Sequence, residues 1–402
     1  MERTTDIFAE KRHLGALGER LWRRLALAGT AALLVSVAIA ALGAESWRRF
    51  FFAYLVNFAF VLSLALGALY FVLLHHLTHS GWSVVVRRVG EALTAALPLL
   101  ALLFIPVLLG LKELYPWSQT AVAAADHVVH GKAAYLNVPF FVVRWAVYLA
   151  AWIVTGRFYF RRSLLQDSSG DTSLTLQMER RAGPAMVLFG ITLTFASIDL
   201  VMSLDPRWFS TIFGVYYFAG SVVGIYALLT AVLFALQGSG FLRNAVTVEH
   251  YHDLGKLLFG FVVFWAYIGF SQYMLIWYAN IPEETGWLAH RQENGWGWVG
   301  LLLVFGHFLI PFVALLSRAP KRRPRLLAAV AVWMLAMHWV DVYWLVTPAV
   351  SPGSPLPRLV DLTLLVALGS LLLAGAAYAV RGRSLVPERD PRLEESLAFE
   401  NA

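Results

Sequence analysis

The 402-residue chain has no cysteine. That absence excludes disulfides, thiolate-held metals, c-type haem attachment and iron–sulfur ligation by this polypeptide. Charge is scarce as well. Asp, Glu, Lys and Arg make up 14% of the residues and hydrophobic types 59%, where a soluble domain carries about one-quarter charged residues. The mean hydropathy is +0.65. A water-soluble architecture is thereby excluded, and an all-α polytopic membrane protein remains. A net charge of +7 would suggest nucleic acid in a soluble chain. In a membrane chain the placement of basic residues matters more than their sum, so the expected partner is the lipid bilayer and not nucleic acid. Tryptophan is plentiful, at 15, as aromatic belts at the two interfaces require.

Ten apolar spans are predicted, over about 25–44, 50–74, 92–111, 136–158, 184–204, 211–236, 256–279, 297–317, 326–346 and 359–380. With the N-terminus in the cytoplasm, the outer segments hold only Arg48, Arg49, Lys112, Lys132, Arg207, Arg291 and Arg358. Arg144 lies within a span, and every other basic residue falls inside. So strong an asymmetry predicts an even number of spans and two cytoplasmic termini. The domain reading is a cytoplasmic segment (1–24), a ten-helix membrane domain (25–380) and a cytoplasmic tail (381–402), the tail polar and solvated. Ala41-Leu42-Gly43-Ala44 resembles a signal-peptide cleavage site, but the basic leader is long and the span nearly full length, so an uncleaved first helix is expected.

Ionisable groups inside spans are costly and are functional candidates by default. At about 1.5 Å per residue, His338 and Asp341 lie ~18 and ~22 Å from the inner end of the ninth span, on one helix face. Asp199 lies ~22 Å from the inner end of the fifth, and Gln272 ~24 Å along the seventh. Arg144, His307 and Asn57 lie ~9–14 Å from the outer ends of theirs. All seven fall in the outer half, which predicts one polar chamber open to the outside above an apolar, nearly charge-free inner half. Such a chamber suits a quinone headgroup or a proton half-channel. Arg144 paired with Asp199 or Asp341 is equally well read as a structural ion pair, and His307 alone as helix–helix glue.

Asp126, His127 and Lys132 on an outer loop, with Glu283 beyond the seventh span, would form the outer mouth. His250, His252, Asp253 and Lys256 at the start of the seventh span would form an inner one. His75, His76 and His79 are read as an inner polar cap rather than a metal site, and no metal ligands are assigned. His307 and His338 would suit a bis-histidine b-type haem. A secondary transporter would need paired broken helices; Pro98, Pro106, Pro139 and Pro311 permit breaks without forming such a pair. A faint repeat over roughly four helices hints at two related bundles.

The richest stretch is EHYHDLGKLLFGFVVFWAYIGFSQYMLIWYANIPEET (249–285), uncharged from Leu257 to Asn280. With IDLVMSLDPRWFSTIFGVY (198–216), HHLTHSGWSVVVRRVGEAL (75–93) and HWVDVYWLVTP (338–348), it resembles the NrfD-like membrane subunits of alternative complex III, a bacterial quinol:cytochrome c oxidoreductase. The length resembles the smaller of the two such subunits, often labelled quinone-binding subunit 2. The resemblance implies two four-helix bundles with flanking helices, in the bacterial inner membrane. It implies four partners: a multihaem cytochrome c, an iron–sulfur protein, a larger NrfD-like subunit and a monohaem cytochrome c. Haem c and iron–sulfur clusters would then reside in the partners, none in this chain, which could still meet quinone or quinol. The expected contribution is a proton path or a quinone-facing chamber open to the periplasm. A purely structural subunit, with the quinol site in the sister subunit, is the alternative.

Overall fold

The computed structural model describes residues 10–401. The first nine residues of the expected N-terminal segment, and Ala402, lie outside it. Ten helices are long and apolar enough to cross a membrane: α1 (Gly15–Ala41), α2 (Trp47–Leu77), α3 (Val84–Leu109), α4 (Val138–Ser169), α5 (Ser173–Leu204), α6 (Phe213–Gly238), α7 (Val248–Ala279), α8 (Trp296–Leu316), α9 (Pro324–Ala349) and α10 (Leu359–Ala379). Among the described residues there is no β-strand, only an isolated bridge between His13 and Ser384. The chain is a multi-pass membrane protein. The predicted spans are all present, and several extend further than expected at the face bearing the termini.

Helices α2 to α5 pack together, as do α6 to α9, and α1 and α10 pair at the flank of α2 and α3. The two groups meet chiefly where α2 lies along α6. These two are apolar around their whole circumference, which marks a buried helix rather than an amphipathic one. The most apolar stretch of α2 is 94% buried and that of α6 72%, against 17% for α1, so α2 and α6 are the axial posts and α1 is a peripheral helix. Gly67 permits their close approach: a Cβ there would sit 2.4 Å from the Ser221 carbonyl oxygen. Ser46, Asn137 and Thr247 cap α2, α4 and α7 by accepting from backbone N–H groups of the first turn.

Two helices are irregular for identifiable reasons. Helix α3 is broken into shorter pieces, two of which carry Pro98 and Pro106 in their first turns. In α8 a π-helical segment, Leu303–Leu309, runs directly into Pro311. Proline removes a backbone donor and its ring crowds the carbonyl four residues earlier, which here belongs to His307. The wider turn relieves that crowding and re-aims His307.

The face bearing the termini departs from expectation. Helix α3 begins at Val84, so Arg87, Arg88 and Glu91 are helical and fully buried, not part of a loop. The half of the helices nearer the termini is therefore not nearly charge-free. Arg88 Nε lies 3.1 Å from Glu91 and its Nη2 2.7 Å from Asp167. Arg87 bonds to Glu91 and to Asp390 of the tail. The tail is likewise not solvated. Arg12 Nε donates to Glu388 at 2.5 Å, and the Glu388 N–H to Asp167 at 2.9 Å. Arg392 reaches Glu179, Ser396 Oγ donates to the Trp82 carbonyl at 2.8 Å, and Asn401 Nδ2 to the Glu249 carbonyl. Buried charges retain their partners because an uncompensated one costs several kcal/mol, and here the partners come from the last residues of the chain.

Two outcomes follow for the docked tail. Asp390→Ala should lower stability by about 3 kcal/mol, because it strips a buried guanidinium of one carboxylate; thermal unfolding in detergent measures it. Burial alone would raise the Glu388 carboxyl, but the hydrogen bond and charge of Arg12 outweigh it and hold the group below the usual glutamate range. A depressed carboxyl stabilises above its unfolded pKa, and that contribution is lost as pH falls through the folded one. Proteolysis of the tail should therefore stay slow at neutral pH and accelerate below about pH 4.

Candidate functional site

Five helices bring polar groups to one buried point. His338 and Asp341 share a face of α9, one turn apart. Tyr216 from α6 donates its hydroxyl to Asp341 Oδ1 at 2.5 Å, and Trp265 from α7 donates its indole N–H to Oδ2 at 3.0 Å. Ser63 from α2 lies 2.7 Å from His338 Nε2. His307, re-aimed by the π-helical turn of α8, stacks on Trp265 with centroids 3.8 Å apart. All of these groups are buried. Glycines make room for the imidazole: a Cβ on Gly220 or Gly224 would lie 2.8 or 3.0 Å from the His338 ring.

Three ring nitrogens in this cluster have no partner, both of His307 and Nδ1 of His338. Among the described residues no Lys or Arg lies within ion-pair distance of Asp341; its hydrogen bonds come from Tyr216 and Trp265. Potential ligand atoms of His307, His338 and Asp341 lie within 4.8 Å of one another. That is close enough for a shared cation, although both Asp341 oxygens already accept hydrogen bonds. The arrangement is a buried cluster of titratable groups.

The other expected members of the chamber lie in separate sites, with no hydrogen bond linking them to this one. Arg144 clamps Asp199 through two bonds of 2.8 and 2.9 Å and donates a third to the Tyr135 carbonyl. Its guanidinium lies over the Tyr135 ring, and Tyr148 also donates to Asp199. Asn57 is spent on helix packing, donating to the Asp361 carbonyl and accepting from Trp339. Gln272 accepts from Ser210.

The two aspartates occupy matching places in the two bundles. Asp199 precedes Pro206 by seven residues on the last helix of the first bundle, and Asp341 precedes Pro348 by seven on the last helix of the second. Likewise Arg-Arg-Val-Gly-Glu (87–91) and His-Asp-Leu-Gly-Lys (252–256) open the second helix of each. The chemistry has diverged: Asp199 has a bidentate counter-charge and Asp341 has none.

Above Asp341, toward the face opposite the termini, lies a cavity of about 350 Å³. Its walls include Asp205, Trp208, Phe213, Trp287, Arg291 and Leu345. Leu345 is one turn beyond Asp341 on α9, so this vestibule begins where the cluster ends. Arg291 is buried, with its guanidinium 3.5 Å from the centroid of Trp287; burial pushes it down to about 9. Sequence reasoning missed Arg291 because it sits in a connecting segment. It missed Tyr216 and Trp265 because aromatics are everywhere in this chain.

The expected mouths are mostly structural. Asp126 caps a short helix and pairs with the exposed Arg207 at 2.7 Å; with His127 the two line a shallow surface depression. The Arg207 bond holds the Asp126 carboxyl below the usual range. Lys132 donates to the Pro206 carbonyl at 2.6 Å. Glu283 lies in the first turn of a short helix, Pro282–Ala289. On the other face His250 completes the cap of α7 and contacts the Ser396 carbonyl, Asp253 pairs with Lys256, and Lys256 reaches Asn401, so the tail covers this mouth. His252 is buried nearby with Nδ1 unpartnered. His75 bonds to the Phe71 carbonyl, His76 packs on Tyr159 and His79 pairs with Glu179, so these three do not converge.

Among known proteins, no family model and no curated protein matches the chain.

The Arg144–Asp199 pair has a direct test. Arg144→Met alone leaves a buried carboxylate and should cost about 3–5 kcal/mol, whereas Arg144→Met with Asp199→Leu should recover most of the loss. Thermal unfolding of the three proteins in detergent compares them.

Proposed function

We propose that this chain is an integral subunit of a bacterial respiratory quinol:cytochrome c oxidoreductase of the alternative complex III type, in which Asp341 and its imidazole neighbours carry protons toward the outer face. In this reading both termini are cytoplasmic, the vestibule faces the periplasm, and the membrane is the bacterial inner membrane. One observation carries it: of two aspartates at matching positions, Asp199 is locked by a guanidinium, and Asp341 is buried without a cation beside two neutral-capable imidazoles with free nitrogens. A carboxyl whose charge is not fixed by a partner is suited to gain and lose a proton, and intramembrane groups of this kind mark proton relays.

Quinol oxidation releases two electrons and two protons. The electrons would pass to redox centres in partner subunits, a multihaem cytochrome c, an iron–sulfur protein and a monohaem cytochrome c, since a chain without cysteine holds none of their thiolate-linked groups. The protons would be taken up at Asp341 and His338 Nδ1. Tyr216 donates to Asp341, and α9 runs on from there to Leu345 in the vestibule wall, where Asp205 and His290 would be the next acceptors. The quinol itself would be oxidised in the larger NrfD-like subunit or at the vestibule. Arg144, Asp199, Asn57 and Gln272 hold the helices that frame the path.

Asp341→Asn removes the titrating group, while its amide oxygen can still accept from Trp265 and its NH2 can donate to the Tyr216 oxygen. In the assembled complex it should slow quinol-coupled cytochrome c reduction at least about 100-fold, within the range expected for loss of a positioned acid–base group. Proton release from reconstituted vesicles should fall with it. Wild-type turnover and proton release in an intact Asp341→Asn complex would leave the chain a structural subunit. A Soret band in the isolated chain would instead assign a b-type haem to His307 and His338, and solute uptake by vesicles of the chain alone would assign a transporter.

A further inference from the structure

The hydrogen bonds around His338 fix which of its nitrogens is free. Ser63 donates its one hydroxyl proton to the Phe60 carbonyl at 2.6 Å. Toward His338 Nε2, 2.7 Å away, the same oxygen can then only accept. The imidazole proton therefore sits on Nε2, and Nδ1 presents a bare lone pair with no partner. His307 is free at both ring nitrogens. Its face is stacked on Trp265, which fixes the ring plane and leaves the nitrogens at the ring edge. Asp341 completes the set. Its oxygens accept one bond each, from Tyr216 and Trp265, and a carboxylate oxygen has a second lone pair.

Two imidazoles and a carboxylate thus bring lone pairs within 4.8 Å of one another. Buried polar atoms without partners are rare. Lone pairs cannot satisfy each other, whereas a cation between them satisfies all three. A cation lies among its ligands and needs no exposed surface on them. Tetrahedral ligands held at about 2.1 Å from an ion are about 3.4 Å apart, which small rotations of the three side chains reach. A glycine leaves room on one side: a Cβ on Gly220 would lie 3.1 Å from His338 Nδ1 and 3.7 Å from Asp341 Oδ2. Orienting bonds are already in place, from Ser63 on the remote nitrogen of His338 and from Tyr216 and Trp265 on the carboxylate. Outer partners of this kind hold ligands in position for a metal. Two imidazoles with a single carboxylate suit zinc and its neighbours; magnesium and calcium take oxygen ligands.

We propose that His307, His338 through Nδ1, and Asp341 bind one divalent transition-metal ion of the zinc type. The approach is short, because Leu345, one turn beyond Asp341 on α9, already lines the vestibule. The site stands on the geometry of the three ligands. Its consequence rests on the proton reading: an ion on these lone pairs displaces the protons and blocks the path, since a metal binds only the deprotonated ligands.

Equilibrium dialysis against micromolar zinc, read by elemental analysis, tests it on the full-length protein in detergent, with whatever subunits co-purify, after an EDTA wash. The wild type should take up one zinc per chain more than His307→Phe, which keeps the stack on Trp265 but offers no nitrogen. Ser63→Ala leaves all three ligands and should weaken that zinc by roughly tenfold to 100-fold. Zinc should raise the unfolding temperature of the wild type and leave that of His307→Phe unmoved, a readout that also shows both proteins to be folded. Equal uptake by the wild type and His307→Phe overturns the proposal, and so does a Ser63→Ala protein that binds as tightly as the wild type. In the assembled complex, zinc should slow quinol-coupled cytochrome c reduction in the wild type, while the turnover left in His307→Phe should not respond. Site-specific binding without inhibition would uphold the metal site and refute the proton reading. A slowed Asp341→Asn complex whose wild type binds no zinc would do the reverse.

Discussion

Within an apolar slab a charge has no water to turn to, so each one must find its partner inside the protein or go without a fixed charge. This constraint organises the molecule. Arg88 has Glu91 and Asp167, Arg144 has Asp199, Arg49 has Asp361 and Arg87 has Glu91 with Asp390. Each pair joins different helices, or a helix and the tail, or braces one turn of a helix already so joined. The network of charges is thus also a network of helix–helix ties. Asp341 stands outside it, held by a phenol and an indole.

The two-bundle plan explains how that contrast arises. Helices α5 and α9 end alike, with an aspartate seven residues before a proline, and each lies beside an axial post. In the first bundle an arginine from α4 fills the space opposite the aspartate. In the second, the corresponding helix α8 is deformed by Pro311 and supplies His307. One scaffold therefore holds a rigid clamp and a titratable cluster at matching places, and the difference depends on a few side chains and one turn of π-helix.

Ten spans were legible because an uninterrupted apolar run of the right length has few alternatives. Their ends at the terminal face were less so: α5 starts at Ser173 and carries Glu179, Arg180 and Arg181 in regular helix, where charge alone suggests a loop. Depth along a helix was also readable, and it placed His307, His338 and Asp341 at one level, where the structure joins them. Azimuth was not readable. Arg144, Asp199, Asn57 and Gln272 share that level but face other neighbours, so the single expected chamber is several sites. The docked tail was invisible for a different reason. Asp390 and Arg87 are separated by most of the chain, and nothing local to either announces the other.

That separation has a consequence for biogenesis. A chain emerges N-terminus first, and its early segments begin to fold before the later ones exist. The first bundle reaches the membrane with Arg87 lacking the carboxylate of Asp390, and with Glu179 lacking Arg392. Those partners emerge 303 and 213 residues later. The charge network therefore stays incomplete until the segment beyond α10 has emerged, and a product lacking that segment would carry an unmatched guanidinium that quality-control machinery can recognise.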